Sequence, residues 1–260
     1  MATPAAVRVW GSSFALYRRI WRSNLLGSLV QPVLYLLGMG VGVGSLVDRG
    51  GPEDVLGGVD YLTFLAPSLL ATTAMIVVTQ EAMWPVMDGF SWGSQYRAMA
   101  ATPLEPANIV NGVSMWQATR GLIAASGVAI VLVVLPDTRS WGLVPAVLFA
   151  VLTGMAFAGP VMAWAATREG SDQSFSAISR FAIVPMFLFA GAFYPVTELP
   201  GWLQIVARCT PLYHGVALCR GAVLDTLGVA EAVGHVAVLL GFWLVGLTIS
   251  LVVFARRLAT

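Results

Sequence analysis

Along most of this chain the apolar positions neither alternate nor recur every three or four residues; they run on without interruption. Leu25–Val47, Tyr61–Gln80 and Ser140–Thr167 hold no charged side chain. Ile109–Leu135 is interrupted by Arg120 alone, and Ala232–Ala255 carries one histidine, His235. A shorter run, Phe181–Thr197, begins near Ala177. A helix needs about 20 apolar residues to cross roughly 30 Å of hydrocarbon, and only a helix or a closed barrel satisfies its own backbone there. The pattern predicts an all-α integral membrane fold with six transmembrane helices over about 25–47, 60–84, 108–135, 140–167, 177–197 and 232–255.

The periodicity changes between these runs. In residues 1–24, Val7, Trp10, Phe14, Tyr17 and Trp21 recur at steps of three and four, with Arg8, Ser12, Ala15, Arg19 and Arg22 on a neighbouring stripe. That predicts an N-terminal amphipathic helix lying at the interface, ahead of a membrane domain over 25–260. The run at 25–47 is longer than a signal-peptide core of about 7–15 residues, so it is expected to stay in the protein. Trp84–Asn108 is too polar to span and longer than the two to eight residues that usually join packed helices. Its middle, Phe90–Ala101, bounded by Gly89 and by Pro103 and Pro106, predicts a short helix placed to take a push from outside the membrane. Between Glu198 and Gly228 two apolar stretches split by Pro211 are too short to span and read as re-entrant helices before span six. Gly38, Gly40, Gly42 and Gly44 form two overlapping small-xxx-small patterns, which allow close helix packing.

Composition narrows the function. Of 260 residues, 58% are hydrophobic and 10% charged, against about 25% charged in soluble domains; mean hydropathy is +0.81. All 14 basic residues are arginine. Without lysine there is no Walker A loop and no Schiff base. Two cysteines, Cys209 and Cys219, supply neither a disulfide framework nor a four-ligand zinc site. A net charge of +1 gives no case for nucleic acid. Arg8, Arg18, Arg19, Arg22, Arg97, Arg120, Arg168, Arg180, Arg256 and Arg257 fall on the side of the termini, against Arg49, Arg139, Arg208 and Arg220 on the other. The positive-inside rule then places both termini in the cytoplasm.

Charges inside a span cost about 2.5–3.5 kcal/mol at a helix centre and mark function by default. Two stand out, Glu81 in span two and Arg120 in span three, at depths that allow pairing. His235 and His214 read as polar residues near the outer helix ends. Signatures of metal-dependent or serine hydrolysis are missing, and Ala125–Ser126–Gly127 reads as small-residue packing. A secondary transporter driven by ions or protons is the alternative; it calls for mid-membrane acid or histidine relays and repeated halves, which the sequence lacks.

Four blocks in order carry a resemblance: QPVLYLLGMGVGVG at Gln31–Gly44, YLTFLAPSLLATTAM at Tyr61–Met75, the stretch Gln80–Gly112, and FLFAGAFYPVTELPGWLQIVARCTPLYHGVALCRGAVL at Phe187–Leu224. The chain resembles the permease subunits of ABC type-2 exporters, in the branch of nodulation lipooligosaccharide exporters and daunorubicin-type resistance permeases. The resemblance implies a bacterial inner-membrane subunit that pairs with a second permease, identical or sister. ATP and magnesium would be handled by a separate ABC ATP-binding subunit, with no cofactor on this chain. It implies that the segment after span two is a coupling helix touching that subunit through Asp88, Phe90, Trp92, Tyr96, Arg97 and Met99. Ser68 departs from the glycine of the family's A-P-G type motif, and Gly93 from a charged position. An apolar pathway lined by spans one and five would suit any amphiphile: a drug, a glycolipid or a lipooligosaccharide, among the lipids of the membrane.

Overall fold

A computed structural model of the chain describes residues 4–47, 56, 58–91, 94–169 and 174–259, and all its regular structure there is helical. Five helical stretches are long and apolar enough to cross a membrane: Ala5–Val47, Tyr61–Phe90, Pro106–Val134, Leu143–Ala165 and Val229–Leu258. The sixth predicted span is a shorter, broken helix over Ser174–Phe189.

The first stretch runs 43 residues as α1 (Ala5–Tyr35), a wider π-helical segment (Leu36–Val43) and α2 (Gly44–Val47). At 1.5 Å per residue it is about 65 Å long, twice the hydrocarbon thickness. The amphipathic segment is therefore continuous with the first apolar run, and no break falls at residue 24. The widening follows Pro32, whose missing N–H opens the ladder, and it coincides with Gly38, Gly40 and Gly42. The aromatic face of α1 packs on α6 (Pro106–Val134): Trp10 Nε1 donates to Thr119 Oγ1 at 2.9 Å, and the Tyr17 ring meets Trp116 edge-on.

A kink at Ala66–Pro67 separates α3 (Tyr61–Leu65) from α4 (Ser68–Phe90), the most deeply buried helix of the bundle. α4 continues six residues beyond the expected limit at 84, because Val86, Met87 and Phe90 bury one face against neighbours even where the other is polar. Gln95–Ala100 forms the short α5. α7 (Leu143–Ala165) and α12 (Val229–Leu258) flank α4 and α6. α8 (Ser174–Ile178), a π-helical turn (Ser179–Ile183) and α9 (Val184–Phe189) replace the expected span at 177–197. The wide turn lies just ahead of Pro185, and the chain then reverses through Gly191 at φ +86°. α10 (Gly201–Arg208) and α11 (Pro211–Val223) follow.

Both described termini lie at one end of the bundle with the α4–α5–α6 connection. Phe90, Tyr96 and Phe254 stack there, and Arg257 Nη1 donates to the Ala166 and Arg168 carbonyls. One apolar core fills this end around Met83, Met87, Ile109, Met162 and Phe175. A second fills the far end around Leu65, Leu69, Met75, Leu132 and Leu212.

Candidate functional site

The two intramembrane charges meet. Arg120 Nε donates to Glu81 Oε1 at 2.7 Å, and Trp116 Nε1 donates to Glu81 Oε2 at 3.1 Å. Side-chain exposure is 6% for Arg120 and 19% for Glu81, so the pair is held within protein. The Tyr17 ring lies 4.7 Å under the guanidinium, which ties α1, α4 and α6 at one point. Arg120 Nη1 is buried and makes no protein hydrogen bond among the described residues. Pairing repays the burial of two charges only when such hydrogen bonds accompany it.

This pair stands in the wall of a groove of about 450 Å³ between α1 and α4. Ser23, Asn24, Ser28 and Gln31 line it from α1; Thr72, Thr73, Gln80 and Glu81 line it from α4; Trp84, Tyr35 and Phe187 add aromatic surface. A second cavity of about 260 Å³ shares Asn24, Glu81 and Pro85 and reaches Gln95, Tyr96 and Met99 on α5. A polar seam thus runs along α1 from the α5 connection to mid-bundle, with the ion pair where the two cavities meet. Its wall mixes hydroxyls and amides with aliphatic and aromatic surface. Phe187 is the one contributor to it from Ser174–Phe189.

The connection near α5 differs from expectation in which way its side chains point. Phe90 and Tyr96 are buried against each other and Phe254, and Arg257 caps the Phe90 ring at 4.5 Å. They hold the connection to the bundle. Burial first, then the Asp88 and Glu81 carboxylates, push the Tyr96 phenol well above its ordinary pKa. Asp88 and Arg97 are exposed and Met99 half-exposed; Trp92 and Gly93 lie outside the described residues. The predicted helix over Phe90–Ala101 is the shorter Gln95–Ala100, entered through Ser94 at φ 45°.

At the far end Arg220 reaches inward from α11. Its Nε donates to Phe64 O (3.0 Å) and its Nη2 to Ser68 Oγ (2.5 Å), Gly191 O (2.8 Å) and Ala192 O (3.3 Å). The guanidinium also lies 3.6 Å from the Phe64 ring centre. The Ala66–Pro67 kink exposes the Phe64 carbonyl, and the Gly191 turn presents the other two. Nearby, His214 Nε2 must donate to the Arg208 carbonyl (3.0 Å), since a carbonyl only accepts; its Nδ1 then accepts from His235 Nδ1 at 2.7 Å. Burial, then His235, lower the His214 pKa, while the bond to Arg208 opposes them. Cys209 is an exposed free thiol; Cys219 is buried, donates to Ala146 O, and is pushed up in pKa by that burial.

Of the four glycines singled out in span one, Gly40 packs against Leu62 and Gly44 is buried, whereas Gly38 and Gly42 are open. A close helix approach that involves none of these four lies between α7 and α12. A Cβ on Gly159 of α7 would sit 3.1 Å from Gly246 Cα of α12, and one on Gly246 would run into Pro160. Sequence reading missed this pair, because two glycines 87 positions apart show no shared spacing.

The ABC-2 type transporter family matches residues 6–224. The chain belongs to that family. It is 32% identical over 252 residues to Nodulation protein J of Rhizobium leguminosarum bv. trifolii, covering 97% of this chain and 93% of that one. Against Nodulation protein J of Rhizobium meliloti (strain 1021) identity is 30% over the same shares. The inner membrane transport permease YadH of Escherichia coli (strain K12) is 24% identical, over 80% of this chain and 78% of YadH. This ABC-2 permease is an integral membrane subunit of an ABC transporter, a transport component with no catalytic role of its own.

Proposed function

We propose that this chain is the membrane-spanning half of an ATP-driven exporter that moves an amphiphile outward across the bacterial inner membrane, with both termini in the cytoplasm. The observation that carries the reading is the polar seam along α1, which leads from the α5 connection to mid-bundle and passes the Glu81–Arg120 pair. Hydroxyl and amide groups beside aromatic rings suit a headgroup rich in hydroxyls and amides, as in a glycolipid or lipooligosaccharide; the open side of the groove leaves its chains to the lipid. A separate ABC ATP-binding subunit, carrying ATP and magnesium, drives two permease copies, this chain with itself or with a sister. It docks on the exposed side of the connection at Asp88, Arg97 and Met99. Phe90 and Tyr96 pass its movement into α4 and α12, and Ser174–Phe189 serves as the sixth span. Glu81 and Arg120 act as a latch whose unused Nη1 finds its partner in the second state of the bundle.

The pair speaks against a proton-coupled carrier, since both Glu81 oxygens are already taken by protein donors. Bridging the groove tests the proposal. Ser28→Cys and Thr73→Cys stand on opposite walls, and in a Cys209→Ser background a bifunctional thiol reagent links them. The expected result is loss of ATP-driven export with insertion and partner binding kept. Export at the unlinked rate overturns the assignment of the groove.

A further inference from the structure

Arg220 poses a problem the transport reading does not use. It carries a positive charge into the far-end core, and among the described residues no carboxylate pairs with it. Its Nε and Nη2 are spent on protein oxygens, leaving Nη1 without a protein hydrogen bond among the described residues. A cavity of about 210 Å³ adjoins it, bounded by Phe64, the turn around Gly191 to Thr197, and α10–α11. Its lining includes a second cation, Arg208, together with Tyr213 and Thr197, and among the described residues no aspartate or glutamate. Two cations against an apolar backing of Phe64, Val196 and Val216 create a positive potential that water screens poorly.

We propose that this cavity binds a phosphate-type oxyanion, with Arg220 Nη1 contacting it end-on and Arg208 closing over it from the exposed side. At about 30 Å³ per water the cavity has room for roughly seven waters, hence for a phosphate with part of its shell. The guanidinium is fixed in place before the anion arrives by four oxygens from three segments, so little side-chain order is lost on binding. Ser68 belongs to the site: its hydroxyl accepts from Nη2. The same chemistry is offered by a lipid headgroup phosphate and by free phosphate.

The test uses the full chain. Thermal unfolding is followed in uncharged detergent against inorganic phosphate at constant ionic strength set with chloride, and in nanodiscs of phosphatidylcholine with or without phosphatidylglycerol. The wild type is expected to be stabilised by phosphate in detergent, by phosphatidylglycerol in nanodiscs, or by both. A response to the lipid alone assigns the site to headgroups, and a response to phosphate assigns it to the free anion. Arg208→Gln, at an exposed position, is expected to weaken apparent affinity about tenfold, the loss of one charged hydrogen bond. Arg220→Gln is expected to abolish the response; where that variant does not fold, Arg208→Gln decides. Stabilisation no greater than in chloride and phosphatidylcholine, or an Arg208→Gln protein that responds as the wild type does, overturns the site.

Discussion

At the scale of single residues the energetics concentrate in a few buried polar groups. Removing one member of the Glu81–Arg120 pair strands the other in a low-dielectric interior, a cost of about 3–5 kcal/mol. The double variant Glu81→Ala with Arg120→Ala is expected to lower the unfolding midpoint in detergent by less than the sum of the two single losses. Strictly additive losses would show that the pair is not coupled. These two residues were legible in the sequence because a charge within an apolar run is conspicuous. Trp116, which completes the site, was not, since aromatic side chains are ordinary in spans, and Tyr17 was legible only as part of the aromatic face of residues 1–24. Histidine chemistry gives a second expectation. A folded-state pKa below the ordinary imidazole value of about 6.5 means the unfolded chain binds more protons, so stability is lost as pH falls through that value. Beside His214 stand His235 and Tyr213, and His235 in turn lies 3.6 Å from Glu231. Unfolding at pH 7.5 and 5.5 is expected to show a smaller difference for His214→Gln than for the wild type; an equal difference refutes it.

At the scale of elements, hydropathy located the long helices but misjudged their ends. α4 runs on to Phe90 because a helix leaving the membrane keeps forming while one face has something to pack on, here Phe254 and Tyr96. No window of the local sequence contains Phe254. For the same reason Phe90 and Tyr96 are buried, both packed on Phe254. The α7–α12 crossing is set by Gly159 and Gly246, where backbones touch and Ser250 Oγ donates to Gly159 O at 3.1 Å. Gly246→Ala places a methyl against the Pro160 ring and is expected to destabilise by about 1–3 kcal/mol, the range for overpacking. Gly38→Ala, with nothing within 4 Å, serves as its control and is expected to be near neutral. Equal thermal shifts for the two variants would contradict the packing described.

At the scale of the whole molecule, the bundle is organised around the buried α4, with the Glu81–Arg120 pair near the end that carries the termini and Arg220, which has no carboxylate partner among the described residues, near the other. Five membrane-length helices and the order of the segments between them were readable from uninterrupted apolar runs and their Pro and Gly boundaries. The groove was not, because its wall combines positions of α1 with positions of α4 that share a face only once the helices are crossed. The central claim is that a separate ATPase works this bundle through the Gln95–Ala100 connection. The most direct measurement is ATP hydrolysis by the complex captured on this chain from its own membrane in mild detergent. It compares the wild type with a variant whose exposed contacts are reversed, Asp88→Arg with Arg97→Glu. The account predicts that an ATP-binding subunit is captured with the wild type, and that the variant, still folded and inserted, loses most of the bound hydrolysis. Capture of the chain alone, or hydrolysis unchanged in the variant, would contradict it.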